Sequence, residues 1–227
     1  MKSMVLMISV FTLAMVMPPP PETSVALISK VILDVTRKTE GKDWQKAKQG
    51  DILMAGEKIK TGEKSIAIVK FKDNSLIRVR EMSELTLSAA TSGTALTKSV
   101  DVDNGVIGFN VKKQQTGEEF RFTSPTSVAS IRGTGGLFTS KRSNDTLTVT
   151  EGGVLLSNRI SSTSVNVLAG FTGLSMKDGT LTMRASTREE RLAAEEANRL
   201  GDQLKKLEFE LRDNKGKTKQ LRIEYKE

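Results

Sequence analysis

The feature that most constrains the fold is a succession of short segments in which apolar and polar residues alternate, from about residue 26 to residue 184. In the segment LIRVR, Ile77 and Val79 share one side of an extended chain, whereas Arg78 and Arg80 share the other. Glycine, asparagine, aspartate or serine interrupts each segment. Because no helical period occurs in this region, a parallel sheet with crossover helices is unfavoured. The sequence therefore predicts an all-β domain over residues 27–184.

Three of these interruptions place a glycine just before an apolar segment, in DNGVIGFNV, EGGVLLS and LAGFTGLSM. This recurrence predicts either a β-sandwich or a β-solenoid-like roll, in which strands turn at similar corners. The stretch KDNS predicts a hairpin turn, because Asp73 and Asn74 tolerate a left-handed backbone. The stretch DVDNG is interpreted as a turn that enters a strand. A calcium-binding EF-hand loop that began at Asp101 would need glycine and glutamate where Val106 and Lys112 stand.

A glycine-rich stretch, SVASIRGTGGLFTS, raises the possibility of a phosphate-binding loop. A P-loop ends in Gly-Lys-Ser/Thr and leads into a helix, but here a further β segment follows. We therefore expect Gly133, Gly135 and Gly136 to form a bulge or tight corner where a side chain would clash.

The C-terminal region, residues 185–227, differs from the β domain. Ser186 and Glu189 have the spacing of a capping box, and the small and apolar residues that follow recur on one helical face. These residues are Ala193, Ala197, Leu200 and Leu204. We expect this amphipathic helix to dock on the β domain rather than to dimerise. Alternation then returns around the turn sequence DNKGK, which predicts a terminal β-hairpin, with a helix that continues to Arg212 as the alternative.

The N-terminus has the pattern of a secretory signal peptide. Lys2 precedes an apolar run, Met4–Met17, which the prolines at 18–21 end. This run is shorter than the roughly 20 residues that span a bilayer, and it fits the apolar core of a leader. The sequence predicts a leader over residues 1–26, cut after Ala26. A cut near Ala14 and an uncleaved buried helix are the alternatives. We expect a periplasmic or secreted protein.

The chain contains no cysteine and no histidine. It therefore lacks thiolate nucleophiles, thiolate zinc ligands and the side chain most used as a general base near neutral pH. No carboxylate, serine or lysine stands in a setting that singles it out for catalysis. We expect a protein that is not an enzyme and that has no catalytic residue, metal or cofactor. The single tryptophan, Trp44, is expected to anchor the core.

The formal net charge of +8 favours anionic partners, such as acidic lipid or polysaccharide. The lysines are densest in KIKTGEKSIAIVKFK and KGKTK, and a solvated surface is the favoured interpretation over a dedicated binding patch. Only 4% of residues are aromatic, so stacking platforms for nucleic acid are scarce and nucleic acid is not an expected partner.

The stretch from WQKAKQGDILMAGEKIKTGEKSIAIVKFKDNS to LAGFTGLS resembles the FecR domain family. The positions that carry the resemblance are Gly50, Asp51, Leu53, Gly56, Ile59, Thr61, Phe71, Asp73 and Ser75, followed by Gly133 and Thr134 of a Gly-Thr signature. The resemblance covers about residues 25–176. It implies an all-β extracytoplasmic domain in which these positions are structural, and it makes the glycine-rich stretch a corner.

The regulator that gives the family its name relays a signal from an outer-membrane transporter to a cytoplasmic sigma factor. It does so with a cytoplasmic regulatory segment and a transmembrane helix, neither of which this sequence shows. The resemblance therefore implies a binding module. We expect an exported, non-enzymatic binding or scaffold protein of the bacterial cell envelope whose partner is an envelope protein or glycan. The alternative is a regulatory module in envelope signalling that works with a separate membrane partner.

Overall fold

The structure is a computed structural model that describes residues 24–92, 95–199, 205–212 and 218–225. In these ranges the chain forms nineteen β-strands and one α-helix. The strands are β1 (Ser24–Ile32), β2 (Val35–Lys38), β3 (Gln45–Lys46), β4 (Ile52–Met54), β5 (Lys58–Thr61), β6 (Ile66–Phe71), β7 (Leu76–Val79), β8 (Glu84–Ser92), β9 (Ala95–Val111), β10 (Glu118–Thr123), β11 (Ser127–Ile131), β12 (Thr134–Ser140), β13 (Asn144–Glu151), β14 (Gly153–Asn158), β15 (Ser164–Leu168), β16 (Phe171–Met176), β17 (Leu181–Ala185), β18 (Lys205–Arg212) and β19 (Thr218–Tyr225). The helix α1 spans Arg188–Arg199.

Strands β1 to β17 form two sheets that share β9. Sheet A has the order β4-β1-β6-β7-β9-β12-β13-β16-β17. Sheet B has the order β3-β2-β5-β8-β9-β10-β11-β14-β15. All of these pairs are antiparallel except β9 with β10. The all-β fold predicted from the alternation is therefore confirmed.

The second half of the chain places hairpins alternately in the two sheets. The pair β10–β11 lies in sheet B, β12–β13 in sheet A, β14–β15 in sheet B and β16–β17 in sheet A. Successive hairpins of one sheet lie side by side, because β11 pairs with β14 and β13 pairs with β16. The two packed sheets make the architecture a sandwich, and the alternation of successive hairpins between the sheets makes it resemble a roll. Each of the two predicted alternatives therefore describes part of the fold.

The core lies between the sheets, where the inward-facing residues of each strand meet. Sheet A contributes Phe71, Phe109 and Phe138, and sheet B contributes Phe120 and Phe122. The ring centroids of Phe71 and Phe120 are 4.9 Å apart, and those of Phe109 and Phe122 are 5.2 Å apart. Phe122 also stacks on Phe138 at 5.5 Å. These aromatic contacts join the two sheets directly.

The interpretation of DVDNG as a turn is wrong, because β9 runs through it without reversing direction. Residues up to Asn104 pair with β8 in sheet B, and residues from Gly105 pair with β12 in sheet A. Gly105 has a φ of 137°, and a Cβ there would lie 2.2 Å from the Ser83 hydroxyl oxygen. Glycine at this position therefore allows one strand to pass from one sheet to the other.

Two other predicted corners are confirmed. In KDNS, the Phe71 N–H donates to the Ser75 carbonyl at 2.9 Å, and Asn74 adopts a φ of 64°. Between β11 and β12, Gly133 has a φ of 68°, and a β-bulge separates Gly135 from the next residue. Both corners use a left-handed backbone that asparagine and glycine tolerate.

The helix begins one residue later than the capping box predicted. The Glu190 N–H donates to Thr187 Oγ1 at 3.2 Å, and the Thr187 N–H donates to Glu190 Oε2 at 2.8 Å. The capping box is therefore Thr187 with Glu190, and not Ser186 with Glu189. The buried face shifts in the same direction, because Ala194 is buried whereas the predicted Ala193 is exposed.

The helix docks on the outer face of sheet A, as expected. A Cβ on Gly108 would lie 2.9 Å from the Ala197 carbonyl oxygen, so the helix backbone approaches the sheet where β9 has no side chain. The Asn198 side chain donates to the Gly136 carbonyl at 2.9 Å. The predicted contacts of Leu200 and Leu204 lie outside the described residues.

The last two described strands pair antiparallel as a separate hairpin, with Leu207 opposite Ile223 and Phe209 opposite Leu221. Residues 206–212 are therefore strand and not helix. At the other end, most of the predicted leader lies outside the described residues, but Ala26 is a buried residue of β1 that pairs with Leu53. A cut after Ala26 would remove part of β1. In the part of the chain that the structure describes, no helix has the length and apolarity to cross a membrane.

Candidate functional site

Three of the motif positions, Phe71, Asp73 and Ser75, come together at the turn between β6 and β7. Asp73 Oδ2 accepts hydrogen bonds from Lys98 Nζ at 2.6 Å and from Gln114 Nε2 at 2.9 Å. Its other oxygen accepts the Ser75 N–H at 2.9 Å. The Ser75 hydroxyl in turn accepts the N–H of Lys112 at 3.0 Å. This network fastens the turn to β9 and to the segment after it.

The network is built around a buried cation, because the Lys98 side chain is only 6% exposed. Glu118 Oε2 lies 3.8 Å from the Lys98 amine and provides a second negative charge. Burial raises the pKa of Asp73, but hydrogen bonds from Lys98, Gln114 and Ser75 outweigh that effect, so this pKa lies below its ordinary value. The Asp73 carboxylate is thus held ionised against the Lys98 amine, 2.6 Å away.

A cavity of about 360 Å³ lies beside this ion pair. Its lining includes Ser24, Lys72, Ala89, Lys98 and Glu118. The Lys98 amine is bound by Asp73, so it is not a free nucleophile. Within the described ranges, no group of three histidine, cysteine, aspartate or glutamate side chains could hold a metal ion. The arrangement stabilises the β6–β7 turn, and the recess beside it combines the charged pair with apolar side chains such as Val25 and Leu96.

The first motif positions lie elsewhere, in the turn between β3 and β4 and in β4 itself. Gly50 has a φ of 89°, and its N–H donates to the Ile28 carbonyl at 2.8 Å. Asp51 Oδ2 accepts the Lys48 N–H at 2.9 Å and lies 3.3 Å from Arg37 Nε. Leu53 is fully buried in the core. These residues shape the turn that returns the chain to β1.

The next positions surround β5. Gly56 has a φ of 87°, and Ile59 is fully buried. The Thr61 hydroxyl donates to the Arg80 carbonyl at 2.5 Å and accepts the Ser83 N–H at 3.1 Å. Thr61 therefore joins β5 to the segment between β7 and β8.

The Gly-Thr signature forms a fourth location. The Thr134 hydroxyl donates to the Gly153 carbonyl at 2.9 Å. A Cβ on Gly152 would lie 2.5 Å from the Gly133 carbonyl oxygen, so the two corners pack closely. The motif residues thus lie at separate turns and strands of the sandwich and do not converge on one catalytic or binding centre.

Open sheet edges provide a different kind of site. Among the described strands, β15 pairs only with β14. The hydrogen bonds that flank the pair show which backbone groups of β15 point toward β14 and which point away. The Asn158 N–H donates to Thr163 and the Ala169 N–H donates to Gly152, at 2.9 and 3.0 Å. Because antiparallel bonding alternates, the backbone groups of Asn166 and of its neighbours two residues away point out of the sheet.

Strand β17 forms the corresponding edge of sheet A. It pairs only with β16 among the described strands, and the Met176 N–H donates to the Thr180 carbonyl at 2.8 Å. By the same alternation, the backbone groups of Met183 point outward. The two edges lie next to each other at one end of the sandwich, because β15 and β17 are in contact.

The composition of β15 leaves its edge open to another strand. The segment SVNVL contains no charge and no proline, the residues that commonly block edge pairing. Exposed apolar side chains lie beside it, because Leu155 and Leu168 are 48% and 51% exposed. Such an edge offers backbone hydrogen bonds and apolar contact to a strand from a partner.

Lys98 and the open edges are absent from the residues singled out by sequence. The sequence could have indicated Lys98, because it lies two and four residues before Val100 and Val102, on the side of the strand that faces the core. A lysine on the inward side of an alternating strand implies a buried partner. The edges leave no such signal, because strand order depends on pairing between distant segments.

Residues 57–155 match the model of the family described as FecR protein. Two crystal structures of a candidate anti-sigma factor from Parabacteroides distasonis, at 2.50 and 1.65 Å resolution, have similar folds, with TM-scores of 0.51 and 0.50. Each is 13% identical and covers 60% of this chain, and the likeness spans 62% and 63% of the respective crystallised chain. No curated protein sequence is significantly similar. Most of the motif positions that resemble the FecR family, from Ile59 to Thr134, lie within the matched range. Residues 57–155 of this chain therefore match the FecR family.

Proposed function

We propose that this FecR-domain protein is a regulatory module of envelope signalling that works by binding a separate partner at the adjacent edges β15 and β17. The observation that carries the proposal is the presence of two adjacent strand edges that pair with no further described strand. They lie in the same sandwich as residues 57–155, which match the FecR family. The described part of the chain supplies a scaffold with a packed core and contact surfaces.

The family match favours regulation over a purely structural role. The crystallised protein with the similar fold is described as a candidate anti-sigma factor, which is a regulator. At 13% identity this likeness supports the fold alone, so the regulatory role of the present chain is our inference. The scaffold role expected first from the sequence becomes the second candidate.

The physical basis of binding is strand addition. A partner segment that lies against β15 would form hydrogen bonds with the outward backbone groups of Asn166 and its alternate neighbours. Exposed Leu168 would provide apolar contact, and the core beneath β15 is already packed, since Val167 is fully buried. Recognition therefore needs no rearrangement of the sandwich.

We further infer that the module is not an enzyme and acts outside the cytoplasm after removal of an N-terminal leader. The absence of histidine and cysteine and the leader-like apolar run support these two inferences. Fractionation of the native host, with mass measurement of the chain, tests the location. An intact, uncleaved chain in the cytoplasm would contradict it.

Deletion of the gene tests the regulatory role. Transcript profiling of the deletion strain should show a coherent set of promoters that depends on one sigma factor and changes in expression. Restoring the wild-type gene should reverse this change. If envelope integrity is altered while sigma-dependent transcripts stay constant, the protein is a scaffold and the regulatory proposal is wrong.

A further inference from the structure

We propose a second binding surface, the lysine face, which recognises an anionic polysaccharide. The lysine face is the outer surface of β2, β3 and β5, with Lys38, Lys46, Lys58 and Lys60 and the adjoining Trp44. It lies at the opposite end of sheet B from β15, and its binding does not depend on the proposed regulatory role.

The register of the three strands places the lysines in a compact array. Thr36 pairs with Lys46 on one side and with Lys60 on the other, while Lys38 pairs with Lys58. Neighbouring strands lie about 4.8 Å apart, so the amines of adjacent rows can contact the same polymer. Val35 and Ile59, at the alternate positions, are buried in the core, which fixes the lysines on the outer side.

Repulsion between the lysines of this face destabilises the sheet. Lys38 and Lys58 are directly opposite each other, and like charges in that position destabilise a sheet. The outer surfaces of β2, β3 and β5 carry no carboxylate. A bound anion would remove the repulsion between the lysines, which supports an anionic ligand.

The carboxylates nearby neutralise the array only weakly. Asp103 lies 3.8 Å from the Lys58 amine and Glu84 lies 3.5 Å from the Lys60 amine. The side chains of Lys58 and Lys60 are 43% and 56% exposed, so these are solvent-exposed pairs. Exposed pairs contribute little and exchange readily with another anion.

Trp44 indicates that the anion is part of a sugar polymer. This residue was expected in the core, but it is 37% exposed, so that expectation is wrong. Its position just before the short edge strand β3 leaves the ring on the surface, with the Lys60 amine 5.8 Å from the ring centroid. An aromatic face beside cations suits a sugar ring, whose C–H bonds stack on the indole while its acidic group binds lysine.

A polysaccharide fits this surface better than a lipid bilayer does. Apart from Trp44, no apolar side chain stands on the lysine face, so nothing there would insert among acyl chains. The face is a strip of three adjacent strands, and a polymer chain can follow it. Acidic vesicles therefore serve as the competing arm of the test.

The test measures binding of the purified chain to polygalacturonate by calorimetry at low and high salt. Neutral dextran and vesicles of phosphatidylcholine with phosphatidylglycerol are the comparison ligands. We expect binding to polygalacturonate that weakens as salt rises, with no binding to dextran. Binding to the vesicles without binding to polygalacturonate would overturn the proposal.

Two charge-matched variants locate the site. In the first, Lys38, Lys46, Lys58 and Lys60 are changed to Gln; in the control, four exposed lysines elsewhere are changed to Gln, namely Lys64, Lys113, Lys141 and Lys177. The first variant should bind polygalacturonate about tenfold more weakly, and the control should lose much less. Equal losses in the two variants would show that net charge alone is responsible and would overturn the proposal.

Trp44 variants separate sugar recognition from general anion binding. Trp44→Ala should weaken binding to polygalacturonate but leave binding to polyphosphate, a polyanion without sugar rings, unchanged. Trp44→Phe should keep most of the polygalacturonate affinity, because it keeps an aromatic face. If Trp44→Ala weakens both ligands equally, or neither, the assignment of a sugar ligand is wrong.

Discussion

Single residues hold this sandwich together where strands change sheet or direction. Gly105 lets β9 pass Ser83 at a distance that no side chain would allow, and Gly108 lets α1 approach the sheet. Asp73 forms an ion pair with Lys98, an inward-facing lysine at the rim of the core. Substitutions at such positions should lower the free energy of unfolding by measurable amounts.

Replacing either member of the buried ion pair should have unequal effects. Asp73→Asn leaves the Lys98 amine buried with only the more distant Glu118, so we expect a loss of about 3 kcal/mol in the free energy of unfolding. Lys98→Met should lose less, because Asp73 is 19% exposed and keeps its bonds from Gln114 and Ser75. Urea denaturation measures both values, and a larger loss for Lys98→Met would contradict the assignment.

The contact between α1 and sheet A depends on Gly108. Gly108→Val should lower the free energy of unfolding by about 1–3 kcal/mol, because the new side chain meets the Ala197 backbone. Asn198→Ala removes the hydrogen bond to the Gly136 carbonyl. When it is combined with Gly108→Val, which already displaces the helix, it should lower the free energy of unfolding little further. Fully additive losses in the double variant would show that the two changes act independently.

The helix cap should titrate at acidic pH. Hydrogen bonds from Arg184, opposed by burial and assisted by Thr187 and Thr172, lower the pKa of Glu190 to about 2 from an ordinary value of 4.5. Because the folded pKa is the lower one, Glu190 stabilises the fold above about pH 4.5, and this stability is lost as the pH falls toward 2. Thermal unfolding should show wild type and Glu190→Gln converging over that range. A difference that stays constant with pH would contradict the prediction.

At the scale of elements, the alternation of side chains predicted most strands, and the reasons for the exceptions are physical. The hairpins around KDNS and DNKGK follow from local turn residues and period. The stretch DVDNG contains turn residues, but the pairing of β9 with two different sheets overrides that local preference. The predicted capping box lies one residue too early, because Ser186 with Glu189 and Thr187 with Glu190 have the same spacing, and the structure uses the second pair.

The candidate sites were less visible in the sequence for a related reason. Motif positions such as Gly50 and Thr61 could be identified by resemblance, but their bonds depend on strands far along the chain. Trp44 was misplaced because a lone tryptophan more often lies in a core, whereas β3 is an exposed edge of two residues. Edges and faces emerge only when the strand order is known.

The edge of β15 makes a prediction about a single backbone position. Asn166→Pro removes an outward N–H that no described strand uses, so the free energy of unfolding should change by less than about 1 kcal/mol. Asn166→Thr keeps the N–H and serves as the control. Chemical denaturation of both variants measures this. A large destabilisation by proline would show that the N–H of Asn166 points into the sheet.

At the scale of the whole molecule, two sheets share β9, and the sandwich that they form has distinct surfaces at its two ends. One end presents the lysine face, and the other presents the adjacent edges β15 and β17. A sandwich of this kind can contact one partner at each end. The proposed regulation therefore depends on contact at an edge, with no chemical step.

Transcript profiling of strains in which the chromosomal gene carries Asn166→Pro or Asn166→Thr tests this account most directly. Both variant chains must first be shown to accumulate to wild-type levels. We predict that Asn166→Pro reproduces the transcript profile of the gene deletion, whereas Asn166→Thr keeps the wild-type profile. A wild-type profile for Asn166→Pro, in a host where the deletion does change transcription, would contradict the account.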